Sequence, residues 1–190
     1  TDITMEMEEQ LLASKEVVVR GKSEQFDPLN PFAVNSARSF SVEETQRYAA
    51  AANDPARMAS AFAGVAVPGD DNNTIVIRGN APNGLLWRLE GIDIPNPNHF
   101  SNAGATGGAI SVLSAQVLGS SDFFTGAFPA EYGNALSGVF DLKLRKGNTE
   151  RQEFTFQAGL LGLEAAMEGP LHAGRQKGSF LFNYRFSSLY

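Results

Sequence analysis

Between Leu85 and Ile94 the apolar pattern changes phase. Leu85, Trp87 and Leu89 fall on one parity, Ile92 and Ile94 on the other, and Glu90-Gly91 stands between them. Side chains of a strand alternate with a period of two, so one flat strand cannot keep both sets on the same face. Glu90-Gly91 therefore turns or bulges, the usual meaning of Gly inside a strand pattern. Upstream, Ile75 and Ile77 alternate with Thr74, Val76 and Arg78, and Asn80-Ala81-Pro82-Asn83-Gly84 separates the two runs. The expectation is a hairpin of these runs with a bent second arm.

The remaining texture is that of a small α+β domain. Ser41 with Glu44 has capping-box spacing ahead of an Ala-rich helix to about Ala52. Asp54-Pro55 starts a second short helix, Met58 and Phe62 share its buried face, and Gly64 stops it. Residues 22–38 read as an extended connector. After a long loop from Pro95 to Gly108, the pattern predicts a strand near Ser114 to Leu118, a short helix entered at Pro129, and a strand with Phe140, Leu142 and Leu144 opposite Asp141, Lys143 and Arg145.

The last forty residues follow another logic. Phe154 and Phe156 alternate with Thr155 and Gln157, and Phe180, Phe182, Tyr184 and Phe186 alternate with Ser179, Leu181, Asn183 and Arg185. In a soluble protein the aromatic face is a core face; in an outer-membrane barrel it faces lipid. The residues alone leave both open. No apolar run reaches the eighteen or so residues of a membrane helix, which says nothing of a barrel.

Several chemistries are excluded. The net charge is −6 with scattered basic residues, unlike a nucleic-acid footprint. There is no cysteine, hence no thiol nucleophile and no Cys-ligated zinc. No catalytic set, P-loop or dinucleotide fingerprint is visible, so the chain reads as a non-enzyme without a cofactor. His99 and His172 are the two histidines, too few for a His-based metal site. Gly69-Asp70-Asp71-Asn72-Asn73 lacks EF-hand spacing and reads as a turn rather than a calcium or other metal site. The chain opens at Thr1 without a Met or signal-peptide core, as expected of a processed chain or a cut piece.

Taken together, the stretches "IVIRGN" with "LWRLEGIDI", "DPARMASAFAGV", "IPNPNHF" and "GAFPAEYGNALSGVFDLKLRKGN" resemble the plug domain of TonB-dependent outer-membrane receptors, and "IPNPNHF" is similar to the Bacteroidetes-type form. "GLEAAMEGPL" and "SFLFNYRFSSLY" resemble the first barrel strands beyond the plug. Glu90 stands where the family has Asp, and Ser137 where many members have the first of two glycines. The resemblance implies an α+β fold, a compact plug with a small mixed sheet and short helices, followed by initial antiparallel strands of a transmembrane β-barrel. It implies an N-terminal segment 1–38, a plug 39–149 and barrel strands 150–190. Phe154, Phe156, Phe180, Phe182, Tyr184 and Phe186 would face lipid. Arg78, Asn80, Asn83, Asn96, Asn98, His99 and Phe100 would lie in ligand-proximal loops. Glu16, Val17, Val18, Val19 and Arg20 fit a TonB box, which binds by adding a strand to its partner; they fit equally the last strand of a preceding β domain. The implied partners are the TonB periplasmic domain, outer-membrane lipid and a nutrient ligand of unknown identity, with a surface lipoprotein a further candidate. The implied location is the outer membrane of a Gram-negative bacterium, with the N-terminus periplasmic. A soluble periplasmic ligand-binding or adhesion module, and a receptor used mainly for signalling, are the alternatives.

Overall fold

The computed structural model describes residues 27–33, 35–41, 47, 54–69, 73–99, 101, 107–108, 110–159, 162–173 and 176–187. In chain order these form β1 (Ala37–Phe40), α1 (Pro55–Met58), β2 (Val65–Ala66), β3 (Val76–Ile77), β4 (Leu85–Leu89), β5 (Ile92–Ile94), β6 (Asn98–His99), β7 (Ile110–Ser111), β8 (Ser121–Phe124), β9 (Gly138–Leu142), β10 (Glu153–Gly159), β11 (Gly162–Ala173) and β12 (Gln176–Ser187). A mixed sheet of order β1-β8-β9-β4-β5 forms the body, with β4 and β9 parallel and the other pairs antiparallel.

Glu90-Gly91 is a two-residue turn. Both residues have positive φ, 50° and 82°, as the turn matched to strand twist requires. Leu89 then faces Ile92 and Trp87 faces Ile94, so the phase change puts all five apolar residues on one face. The Glu90 side chain ties this turn to the neighbouring strand, since its Oε1 accepts from Leu144 N at 2.6 Å and secures the chain just past β9. The hairpin is thus β4–β5. The expected pairing of residues 74–78 with 85–89 does not occur; β3 pairs with β2 instead, Val65 facing Ile77. Extended runs carry no label of their partner, and tertiary packing decides it.

The face of the body carrying Phe40, Phe123, Phe140 and Trp87 is buried against Met58, Phe62, Ile75 and Ile77. Trp87 stacks on Phe140 at 4.2 Å between ring centroids. Each such side chain contributes about 1.5–3 kcal/mol by leaving water. Asp54 caps α1, accepting from Ala56 N at 2.9 Å, with Pro55 in the first turn. The helix tightens into a 3-10 turn over Ala59–Ala61, and Gly64 follows with φ +81°.

Two sequence expectations need correction. Residues 114–118 hold a turn over 115–117 and a single bridge from Leu118 to Leu144; the strand is β8, three positions beyond. Pro129 enters turns, not a helix. β1 belongs to the body sheet. The Ala-rich helix expected after Ser41 falls mainly outside the described residues, as does most of "GDDNN".

The second sheet is the antiparallel array β10-β11-β12. Its two long strands have twelve residues each, about 40 Å at strand rise. No helix among the described residues is long and apolar enough to cross a membrane.

Candidate functional site

The register of the three-stranded sheet sorts its residues into rows. Phe154, Met167 and Phe182 stand side by side, as do Phe156, Ala165 and Tyr184, and Ala158, Leu163 and Phe186. These rows lie on the exposed face: Phe154, Phe156, Phe182, Tyr184 and Phe186 are 48–72% exposed. Phe180, on the same parity, is half-buried beside its partner Gly169.

The opposite rows are polar and meet the body. Arg145 grips Glu168 with its two terminal guanidinium nitrogens, at 2.7 and 2.8 Å. Its Nε also donates to Gln116 O. Asn148 N donates to the same carboxylate at 2.8 Å. Glu164 accepts from Ser114 Oγ and from Asn183 Nδ2. Arg185 donates to Ser111 O at 3.3 Å. Charge-assisted bonds of this kind are roughly twice as strong as neutral ones. The result is a polar seam inside and an apolar face outside, the reverse of a sheet that packs on a core in water.

A buried knot of polar side chains lies behind the seam. Asp54 Oδ2 accepts from Asn73 Nδ2 at 2.6 Å and from Ser111 N at 3.1 Å. Asn73 also donates to Asn98 Oδ1 at 3.0 Å and accepts from Arg57 Nε at 2.6 Å. Burial pushes the Asp54 carboxyl above its ordinary value, against the pull of these bonds and of the Arg185 charge. Asn73, Asp54 and Ser111 thus connect the 96–99 loop to the β12 side of the seam.

The residues expected near ligand differ in exposure and in their bonds. Arg78 is exposed in the left-handed region, φ 51°, and donates to Ser36 Oγ at 2.9 Å and Thr125 Oγ1 at 3.4 Å. Asn80 and Asn83 are exposed beside it. Asn96 accepts from Asn98 N and Nδ2. Asn98 is buried with its amide bound on both sides, so its side chain is not available to a ligand. His99 is exposed. Phe100 and Glu16 to Arg20 lie outside the described residues. No cluster of His, Asp or Glu suited to a metal is present among the described residues.

Reasoning from the sequence missed Arg145, Glu168, Glu164 and the Asn73 knot. Glu164 and Glu168 carry a usable signal, since they share parity on a strand whose other parity holds Leu163, Met167 and Leu171. The knot carries none, because it joins residues far apart in the chain.

Neither a protein-family model nor a curated protein matches the chain. Among solved structures, a mutant of the ferric enterobactin receptor from Pseudomonas aeruginosa aligns with a TM-score of 0.47 and 18% identity, over 72% of this chain and 22% of that one. The chain spans about a fifth of that receptor's length.

Proposed function

We propose that this chain is the plug and opening wall strands of a TonB-dependent outer-membrane receptor that takes up a scarce nutrient. One observation carries the reading: the β10–β12 sheet turns its aromatic rows to the outside and its charged and amide rows to the body. Exposed apolar patches of this extent belong to an interface or a membrane. Strands of nine to eleven residues span a bilayer when tilted, and β11 and β12 have twelve each. The outer edges of β10 and of the twelve-residue β12 invite further strands, and closure into a barrel removes them. The motif resemblance supplies the plug identity, the TonB partner and the periplasmic N-terminus.

In this reading the exposed Arg78, Asn80 and Asn83 and the exposed His99 offer contacts to the nutrient. The side chain of Asn98 holds the loop from below. No chemical step is assigned to the chain.

The test uses the full-length protein in vesicles of brominated lipid, with tryptophan placed by Phe182→Trp or Leu181→Trp. Trp87, buried in the body, gives both variants the same background. Quenching of the 182 variant alone supports the wall assignment. Equal protection of both positions overturns it and favours a soluble binding module whose aromatic face another protein covers.

A further inference from the structure

β6 and β7 form a ribbon of two residue pairs, Asn98 with Ser111 and His99 with Ile110. A two-stranded ribbon has little stability of its own in water. This one is held at its inner pair. Asn98 and Ser111 are buried, and the body grips each of them: Asn73 Nδ2 donates to Asn98 Oδ1 at 3.0 Å, and Ser111 N donates to Asp54 Oδ2 at 3.1 Å. The same Asp54 oxygen accepts from Asn73 Nδ2 at 2.6 Å, so one carboxylate oxygen serves both strands. Asn73 N also donates to Gly108 O at 2.8 Å, and Asn96 Nδ2 to Gly107 O at 3.3 Å. His99 stands one residue beyond the gripped pair and is exposed.

The Asp54 carboxylate is buried, 3% exposed, and two arginines reach it through intermediaries. Arg57 Nε donates to Asn73 Oδ1 at 2.6 Å, while the other end of that amide donates to Asp54. The Asn73 amide is thus polarised by a cation at its oxygen and an anion at its nitrogen, which strengthens both bonds. Arg185, on β12, donates to Ser111 O at 3.3 Å, so Ser111 is gripped from the body on its N–H and from the three-stranded sheet on its carbonyl. The other Asp54 oxygen, Oδ1, caps α1 by accepting from Ala56 N. The two oxygens have separate roles: one closes a helix of the body, the other holds the ribbon.

We propose that Asp54 is a positioning residue: through Asn73 and Ser111, its Oδ2 holds β6 against β7 and so fixes where His99 stands. In the receptor reading, on which its purpose rests, Asp54 presents His99 to the nutrient without touching the nutrient itself. A substitution that keeps the cap and removes the second oxygen then frees the ribbon and leaves α1 in place.

The experiment uses full-length protein in detergent with a spin label at His99→Cys, in a background without other cysteines. Asp54→Ser keeps an oxygen for the cap, since Ser and Asp cap helices about equally well, and removes the oxygen that holds the ribbon. Asn98→Ala removes the amide on the ribbon side and leaves Asp54 and its cap as they are. Met58→Ala is the contrast: it opens a cavity in the core, where Met58 is buried, and leaves the side chains of the knot in place. The ratio of mobile to immobile label is expected to rise about tenfold in Asp54→Ser, as the loss of bonds to a charged group implies, and less in Asn98→Ala. It is expected to stay unchanged in Met58→Ala, although that variant melts at a lower temperature. An immobile label in Asp54→Ser overturns the proposal; if that variant does not fold, an immobile label in Asn98→Ala does so. A label that Met58→Ala mobilises as strongly as Asp54→Ser also overturns it, because the effect is then a general loss of stability. None of these outcomes bears on the receptor reading, which the quenching of the 182 variant by brominated lipid decides separately.

Discussion

Gly91 and Gly138 are glycines for opposite reasons. Gly91 has φ +82° and open space where a Cβ would stand. Its replacement by Ala strains the backbone alone, at about 1–2 kcal/mol. Gly138 needs no unusual φ, but a Cβ there would collide with Ile77 Cδ1 and lie 2.9 Å from Phe124 O. Ile77 is fully buried and Phe124 O belongs to the backbone of β8, so Gly138→Ala overpacks the core at about 1–3 kcal/mol. The two differ in where the loss is felt. Hydrogen exchange of the full-length protein should show Gly138→Ala loosening amides of β8, β9 and β4 together, and Gly91→Ala loosening only the β4–β5 end. The opposite pattern would contradict the packing described. Gly91 was legible in the sequence, because the phase change around it forces a turn. Gly138 was not, because its constraint comes from a side chain sixty-one positions away.

At the scale of elements, alternation was readable and pairing was not. The parity of Phe154, Phe156, Phe182, Tyr184 and Phe186 predicted one shared face, and the register puts them there. The partner of Ile75–Ile77 was misjudged, since nearness along the chain favours β4 while the sheet gives β4 to β5 and β9. The strand expected at 114–118 failed for a related reason: its apolar residues serve a turn whose backbone is held by Arg145. The three-stranded sheet also offers a paired test of the wall reading. Phe182→Arg puts a charge among Met167 and Phe154 on the outer face. If that face meets lipid near the bilayer midplane, the cost is about 2–4 kcal/mol. Leu181→Arg, on the inner parity opposite Glu168, adds a cation beside an acid and should be tolerated better. Reversible unfolding of the full-length protein in urea with lipid vesicles measures both. Equal losses would remove the distinction between outer and inner faces on which the reading depends.

For the whole molecule, the important contrast is between how the body holds itself and how it holds the rest of the chain. Internally it relies on stacked aromatic and aliphatic side chains. Toward the three-stranded sheet and toward residues 27–33 it relies on carboxylates, amides and arginines. Polar contacts can exchange with water, so a body of this kind can shift against its surroundings without losing its core. That suits a plug whose N-terminal end is engaged by a partner. The part of the chain that would be engaged tests the arrangement. If Glu16 to Arg20 act as a TonB box, they pair their backbone with the partner's edge strand, and side-chain changes that keep β propensity are mild. Val18→Pro is then severe, because proline removes a ladder donor and fixes φ. In that case it leaves unchanged the stability of the body sheet, whose first described strand is β1. If the segment is instead the last strand of a preceding β domain, Val18→Pro lowers that domain's melting temperature and affects TonB only indirectly. Capture of the full-length protein by the TonB periplasmic domain, measured beside its melting temperature, separates the two. Lost capture with an unchanged melting temperature supports the box; normal capture by Val18→Pro removes it.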